Sequence, residues 1–390
     1  MHEVTEKVKD AAVFFEQQAP ESDKLGRLTD AEAQKLREAG VVRMLQPKEF
    51  GGYESHPAEF YETVMEIGLH SPPAGWIAGV VGVHPFEFGQ LDLKVQQEVW
   101  GEDPDTWTAS PYAPLGRARP VEGGYLFSGR WPFSSGSDHC EWAILGGMVT
   151  DQDGKVGTPP EIRHFILPRP DYEILQDSWQ VMGLAGSGSK DVVVKDAFIP
   201  EYRTVLADKI NSGWYAEQNR PGHPLYKLPF GVMFPGAIAA STLGICEGAI
   251  NQFVEYTRGR VTVTGVKTAQ DPFHVEAVSV ALADMSASRR QFLGDITDLY
   301  DHVVRGGDIT MGMRLEIRRN QVRAVRRVVD AVDNLFNHAG GHSIWLDQPM
   351  QRFWRDMHAG MNHVCNVAEP MYLAFGQEFF GGQAPAGVLA

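Results

Sequence analysis

The spacing of hydrophobic positions divides the chain into three regions. In the first, up to about residue 123, apolar residues recur at helical intervals, as in LTDAEAQKLREAG and PAEFYETVMEIGLH. Thr29 and Glu32 have the spacing of a capping box, and Gly40 stands where that helix is expected to end. The pattern predicts a helical N-terminal region.

The second region consists of short β-branched and aromatic runs such as DVVVKDAFIP, separated by Gly, Pro and Asp, which predicts strands and turns. Beyond a loop rich in Gly, Pro and Asn, helical periodicity returns in three long stretches: Phe230–Arg260, Pro272–Val304 and Met311–Ala339. Helices of this length could form an up-and-down bundle.

These regions predict a mostly helical α+β chain with three domains. Residues 1–123 are expected to form an N-terminal helical domain, residues 124–208 a small β-barrel or sandwich, and residues 209–390 a C-terminal helical bundle.

The composition narrows the possible functions. Hydrophobic residues make up 43% and charged residues 22% of the 390 positions, as in soluble globular proteins. The net charge of −15 argues against nucleic acid or an anionic membrane as a partner. No run reaches the ~18 uncharged apolar residues of a membrane span, and the N-terminus lacks the pattern of a secretion signal. A cytoplasmic protein is expected.

Neither a metal site nor a nicotinamide site is predicted. Cys140, Cys246 and Cys365 form no CxxC pair and are expected to be small buried side chains. His338 and His342 are spaced i, i+4, but the glycines between them disfavour a helix and no carboxylate completes a ligand set. No GxGxxG fingerprint occurs in a strand–turn–helix context, so electrons for any redox reaction must come from elsewhere.

One segment carries residues suited to a planar aromatic cofactor. RWPFSSGSDHCEWAILGG contains Trp131 and Phe133 beside the hydroxyls of Ser134 and Ser135, and an aromatic wall with hydroxyl groups would suit such a ring system. An ordinary hairpin could contain the same residues, so both interpretations stay open. The proline-rich segment TASPYAP, which contains Ser110, is by itself typical of a surface turn.

Histidines provide candidate acid–base groups. His84 lies among apolar residues in VVGVHPFEF, where a hydrogen-bonded core histidine is the usual outcome. Near the C-terminus, FWRDMHAGMNHV contains His358 and His363, which lie about 140° apart around a helix. The two cannot point equally well into one pocket, and helical geometry does not tell which one does.

Taken together, the motifs resemble one known family over essentially the whole chain. GVHPF, QEVWGEDPDT, SPYAP, WPFSSGSDH, GSGSKDVVVKD and QRFWRDMHAGMNH are similar to motifs of the oxygenase components of two-component flavin-dependent monooxygenases. They are most like those of the secosteroid phenol hydroxylases, with the 4-hydroxyphenylacetate 3-hydroxylases more distant. The resemblance implies an acyl-CoA dehydrogenase-like fold with a C-terminal four-helix bundle. The stretch RDMHAGMNH lacks the glutamate base of the dehydrogenases, so desaturation is not expected.

The resemblance also implies a reaction. Reduced FMN or reduced FAD, delivered by a separate NAD(P)H:flavin reductase, reacts with O₂ to give a C4a-hydroperoxyflavin, which hydroxylates a small aromatic substrate, phenolic or indolic. The pocket must exclude water, which would release hydrogen peroxide. N- or S-oxygenation in the same fold is an alternative, as is a dehydrogenase-like flavoprotein without oxygenase activity. A homotetramer is expected.

The motif match implies roles for the polar residues. His363 is expected to be the base that takes the phenolic proton, and His84 a second polar contact. Ser110 matches a serine of the family's active-site loop. Ser134 is the first choice, and Ser135 the second, for the hydroxyl near flavin N5.

Further residues are assigned by the same resemblance. Trp131 and Phe133 are expected to line the isoalloxazine ring, and the turn from Ser187 to Lys190 to lie near the cofactor or a subunit contact. Arg260 and the HAGGH turn are expected to complete the flavin site of a neighbouring subunit. His358, Arg355 and Asp356 are expected to pack or to bind flavin.

Overall fold

The structure, a computed structural model, describes residues 1–261, 265–385 and 387–390. The N-terminal α-helices are α1 Glu3–Asp10, α2 Ala12–Leu25, α3 Asp30–Ala39, α4 Pro57–His70, α5 Pro72–Gly82, α6 His84–Phe88 and α7 Leu93–Trp100. The predicted ends of α3 are confirmed. Thr29 Oγ1 accepts a hydrogen bond from the Glu32 N–H at 3.1 Å, and Gly40 ends the helix with a φ of 85°.

Within the described ranges, eight strands form one sheet, in the order β6-β7-β3-β2-β4-β5-β8, with β1 parallel to β4. The strands are β1 Thr108–Ala109, β2 Gly116–Val121, β3 Gly124–Ser134, β4 Trp142–Val149, β5 Ile162–Pro168, β6 Glu173–Leu175, β7 Lys190–Pro200 and β8 Thr204–Leu206.

The sheet begins before the predicted boundary at residue 124. β2 pairs with β3 through a tight hairpin, so residues 1–123 are not wholly helical and the boundary cuts this hairpin. The strand signal was weak because the segment GRARPV of β2 contains a single β-branched residue. Aromatic rings, among them those of Phe127, Trp131 and Phe165, lie at the core of the sheet.

The C-terminal part is helical, with α8 Ala207–Asn211, α9 Trp214–Asn219, α10 Phe230–Gly259, α11 Pro272–Val304, α12 Met311–Ala339, α13 Pro349–Met361 and α14 Ala368–Phe379. The three long periodic stretches are confirmed by α10, α11 and α12. Helix α10 is central and packs against α4, α5, α12 and α13. Contrary to expectation, α10 is long and apolar enough to cross a membrane, but 94% of its most apolar window is buried inside the fold.

Helices α10 and α4 approach each other closely at Gly244. A Cβ at this position would lie 2.4 Å from the Met65 carbonyl oxygen. We expect Gly244→Ala to lower the free energy of unfolding by about 1–3 kcal/mol, because the two backbones must move apart. The matched control is Gly294→Ala in α11, where an added Cβ meets nothing within 4 Å. That change should raise the free energy of unfolding by about 0.5–1 kcal/mol. Denaturant titration of both variants measures the difference, and equal effects would contradict the prediction.

Candidate active site

A cavity of about 710 Å³ lies where α5, the sheet and the helical bundle meet. The aromatic side chains of Trp76, Tyr112, Phe133, Trp179 and Phe234 line it, and most of the remaining wall is also apolar. Polar side chains enter at three places: a row of serines on one wall, Ser110 on another, and Asn362 with His363 beyond the end of α13. This combination is typical of a ligand pocket.

His84 is the first residue of α6 and is buried behind the cavity wall. Its Nδ1 lies 2.5 Å from the Thr108 carbonyl oxygen, which can only accept a hydrogen bond, so Nδ1 carries the ring proton. Nε2 therefore accepts a hydrogen bond from Ser110 Oγ at 2.6 Å. Burial lowers the pKa of His84 to about 4, while the Thr108 carbonyl and the charge of Glu87 act in the opposite direction.

Ser110 is 5% exposed and lines the cavity, so it does not lie in a surface turn. Its hydroxyl proton is already directed at His84 Nε2, which leaves the oxygen free to accept a proton from the cavity. The pair can therefore take up one proton from a bound hydroxyl group.

His363 also lines the cavity, but it stands beyond the end of α13 and precedes a short 3₁₀ turn. Its Nδ1 accepts a hydrogen bond from the Cys365 N–H at 3.2 Å, so the proton of the neutral ring is on Nε2. Burial and the nearby Arg318 cation lower the pKa of His363 to about 4. At neutral pH the ring is a hydrogen-bond donor, which argues against the expected role as the base.

His358 points away from the cavity, toward α12. Its Nε2 lies 2.8 Å from Asp333 Oδ1, and Trp354 Nε1 donates to the same oxygen at 2.7 Å. These contacts match the packing role among the alternatives expected from the sequence.

Asp356 is buried on the opposite side of α13, where its Oδ1 accepts a hydrogen bond from the Leu184 N–H at 2.5 Å. Leu184 lines the cavity and has a φ of 54°, so this contact holds a residue in the left-handed region. Burial, with the charge of Asp23, raises the pKa of Asp356 to about 7.

The serine row is a directed chain of hydrogen bonds. Ser187 Oγ donates to the Leu184 carbonyl oxygen at 2.6 Å, which uses its single proton. Ser189 must then donate to Ser187 (2.7 Å) and Ser135 to Ser189 (2.6 Å), while Trp76 Nε1 donates to Ser135 at 3.1 Å. Ser135, Ser187 and Ser189 all line the cavity.

Only some residues of the WPFSS segment line the cavity, and they are not all the ones that were predicted to bind flavin. Phe133 lines the cavity, packed edge-on against Trp179 at 6.0 Å. Trp131, contrary to expectation, is fully buried in the sheet core. Ser134, the first choice for the flavin, is buried away from the cavity and its hydroxyl has no partner among the described residues. The register shift between Trp131 and Ser134, with Phe133 at a φ of 65°, turns the chain at this point.

Trp131 supports the site from beneath. Its Nε1 donates to the Gly146 carbonyl oxygen at 2.8 Å, and the Gly146 N–H donates to the Pro111 carbonyl oxygen at 3.0 Å. A Cβ at Gly146 would lie 2.0 Å from the Tyr112 carbonyl oxygen. The indole and the glycine thus hold the segment that carries Ser110 against the sheet.

The sequence and the fold are similar to those of known proteins. Residues 237–367 match the family described as acyl-CoA dehydrogenase, C-terminal domain. The chain is 46% identical to a pigment production hydroxylase of Rhodococcus erythropolis, over 96% of this chain and 95% of that protein. It is 39% identical to HsaA, the oxygenase subunit of a flavin-dependent monooxygenase of Rhodococcus jostii, over 94% and 95%. The crystal structure of 3-HSA hydroxylase from Rhodococcus sp. RHA1 has a TM-score of 0.94 at 36% identity and covers 100% of this chain and 99% of that one.

The chain belongs to the oxygenase components of two-component flavin-dependent monooxygenases. The family and the acyl-CoA dehydrogenase-like fold predicted from the motifs are confirmed. The oxygenase uses reduced flavin and O₂, and as an oxygenase component it depends on a separate reductase for the flavin.

The cavity of the oxygenase fits a reduced flavin at the serine row. Reduced flavin carries an N–H group at N5, and Ser135 Oγ, whose own proton is directed to Ser189, can accept one more hydrogen bond. Flat aromatic side chains, Trp76 among them, stand beside this hydroxyl and can contact a planar ring.

Arg260 does not line this cavity. Its Nη1 donates to the Ala339 carbonyl oxygen at 2.6 Å, and its guanidinium lies 5.3 Å from the centre of the Tyr256 ring. The structure therefore brings Arg260 and the HAGGH turn together at the ends of α10 and α12, at a distance from the cavity lining of the same chain. Their contribution to a neighbouring subunit's flavin site stays a prediction.

Proposed function

We propose that this oxygenase hydroxylates a small phenol and that Ser110 with His84 takes up the phenolic proton. The observation that carries the proposal is the contact between His84 Nδ1 and the Thr108 carbonyl oxygen, which assigns the ring proton to Nδ1 and leaves Nε2 as the acceptor for Ser110 Oγ. An acidic hydroxyl group is the substrate feature that this pair can use. Aromatic walls around the same cavity suit the ring that carries the hydroxyl.

The proton transfer runs through two side chains. Ser110 Oγ accepts the phenolic proton as its own proton passes to His84 Nε2, and the Thr108 carbonyl oxygen stabilises the resulting imidazolium. The phenolate that remains is a stronger nucleophile than the phenol. Bound reduced flavin with O₂ supplies the electrophilic oxygen.

The other polar groups hold and enclose the reactants. His363 presents Nε2–H as a donor, and Ser187 orders the serine row that ends at Ser135. Ser135 Oγ would accept a hydrogen bond from N5–H of a bound reduced flavin. Phe133, at the outer wall, would contact the ring of a bound flavin. The apolar lining excludes water, which limits the loss of oxygen as hydrogen peroxide.

The oxygenase is further proposed to be a cytoplasmic homotetramer with no membrane or nucleic-acid partner. Large apolar side chains are exposed on α11 and at the end of α14 in the single chain, as at subunit contacts. They include Phe273 (69% exposed), Leu282 (50%), Phe379 (69%) and Phe380 (87%). In such an assembly, Arg260 and the HAGGH turn would reach the flavin of a neighbouring subunit.

The test compares acceptors that differ only in the hydroxyl group. The purified chain, supplied with photoreduced FMN or FAD and air, should convert 4-ethylphenol to a hydroxylated product. 4-Ethylanisole, whose oxygen has no proton to give, should yield mainly hydrogen peroxide. Equal conversion of the two compounds, or preferred oxygenation of a thiophene or an amine, would contradict the proposal. Mass spectrometry and a peroxide assay give the two yields.

A further inference from the structure

A second buried network lies next to the Ser110–His84 pair. Glu87, three residues after His84 in α6, has no exposed surface. The Tyr112 hydroxyl donates to its Oε2 at 2.7 Å, and His164 Nδ1 lies 2.7 Å from its Oε1. Within the ranges that the structure describes, His164 is the one basic side chain at ion-pair distance from this carboxylate, and no lysine or arginine neutralises it.

A carboxylate buried with this little compensation is unfavourable for folding and needs a reason. Glu87 does not line the cavity, so it acts through its neighbours. Tyr112 lines the cavity, follows Ser110 by two residues, and packs edge-on against the His84 ring at 5.9 Å. Glu87 is therefore coupled to both members of the proton-accepting pair.

We propose that Glu87 is a positioning residue for ionisation of the substrate hydroxyl. Its negative charge stabilises the imidazolium that His84 becomes, and its bond to Tyr112 fixes the segment that carries Ser110. This inference rests on the proposed function. The phenolic O–H bond breaks, an N–H bond forms at His84 Nε2, and Glu87 itself gains no proton and no electrons.

The surrounding groups support an electrostatic role. Burial raises the pKa of Tyr112 well above its usual value, with the charge of Glu87 adding to the effect, so the tyrosine is a neutral donor. His164, on β5, faces Glu87 from the sheet side. Among charged side chains, Glu87 is the one that raises the pKa of His84 against the effect of burial. An opposite charge within about 4–6 Å typically shifts a pKa by about 1–3 units.

The experiment replaces the charge and keeps the shape. Glu87→Gln retains an oxygen that can accept from the Tyr112 hydroxyl but removes the negative charge. Bound 4-nitrophenol, whose ionised form absorbs visible light, is titrated on the flavin-free chain. In the variant, we expect the pH at which the bound probe ionises to rise by about one unit or more relative to the wild type. With reduced flavin and a phenol, product formation should fall about tenfold or more while KM changes little.

The matched control is Glu98→Gln. Glu98 also accepts from a tyrosine hydroxyl, that of Tyr202, and from a cation, Arg203 Nε, each at 2.7 Å, but it lies outside the cavity lining. Its replacement should leave the ionisation of the bound probe unchanged. Glu87→Asp, which keeps the charge, should ionise the probe at nearly the wild-type pH even where Tyr112 is held less firmly.

Two failures are distinguishable. If the wild type hydroxylates phenols but Glu87→Gln ionises the bound probe at the wild-type pH, the role of Glu87 is overturned and the proposed function stands. If the wild type makes only peroxide from every phenol, the proposed function fails. Equal shifts for the Glu87 and Glu98 variants would also overturn the inference, because a general loss of packing would then explain both.

Discussion

Replacing Ser110 with alanine should slow hydroxylation of a bound phenol by about 10²–10⁴-fold, the range of general-base assistance. The hydroxyl at this position is the only link from the cavity to His84 Nε2 that the described residues provide. Oxygen consumption by the flavin complex should continue, with hydrogen peroxide replacing the hydroxylated product. The ratio of product to peroxide, measured in single turnover, gives the effect.

Variants of the two histidines test which one is the base. His84→Gln should reduce the yield of hydroxylated product as much as Ser110→Ala does, because both changes remove the same proton acceptor. His363→Gln keeps an N–H donor at the cavity and should lose much less product. If the His363 variant lost more than the Ser110 variant, the base would be His363, as the motif resemblance implies, and the assignment from hydrogen bonding would be wrong.

Replacing Asp356 with asparagine should change the pH dependence of stability. Asp356 binds a proton up to about pH 7 in the folded chain, whereas an unfolded aspartate releases it near its ordinary pKa of about 4. A raised pKa in the folded state means that the stabilising contribution is present in acid and is lost as the pH rises toward and above 7. Between pH 5 and pH 8 the wild type should therefore lose about 2–3 kcal/mol relative to the asparagine variant.

The measurement is the difference between the two unfolding free energies at each pH, because other titrating groups contribute equally to both chains. Asp347→Asn, at an exposed position before α13, is the control and should give a difference that is constant with pH. A constant difference for the Asp356 variant would show that this carboxyl is ionised throughout. The hydrogen bond from the Leu184 N–H, at the cavity wall, would then go to an ionised Asp356 carboxylate.

Periodicity and capping were sufficient to predict the long helices and the strand-rich centre. Apolar repeats at 3.6 residues do not depend on partners, and α10, α11 and α12 appear within a residue of the expected bounds. The first strands were missed because β2 owes its place to pairing with β3, which is a contact between segments and not a local pattern. The proline-rich sequence around Ser110 likewise predicted a surface turn, although pairing of β1 and the close contact at Gly146 hold this residue at the cavity wall.

The candidate site shows the same limit at the scale of single residues. The motif included Trp131, Phe133, Ser134 and Ser135, but a register shift in β3 decides which of them reach the cavity. No spacing rule distinguishes the two adjacent serines. Likewise, the sequence contained no sign that the Cys365 N–H would occupy His363 Nδ1, because this contact depends on where α13 ends.

The close contact at Gly146 limits how relatives of this oxygenase can diverge. The Tyr112 carbonyl already fills the volume that any side chain at position 146 would need, so a mutation there displaces the proton-accepting hydroxyl along with the backbone. We therefore expect substrate range to change through the outer wall, where Met182 is exposed, and the residues around Gly146 to be kept. Homologues that carry an alanine or a larger residue at the position of Gly146 are expected not to hydroxylate phenols.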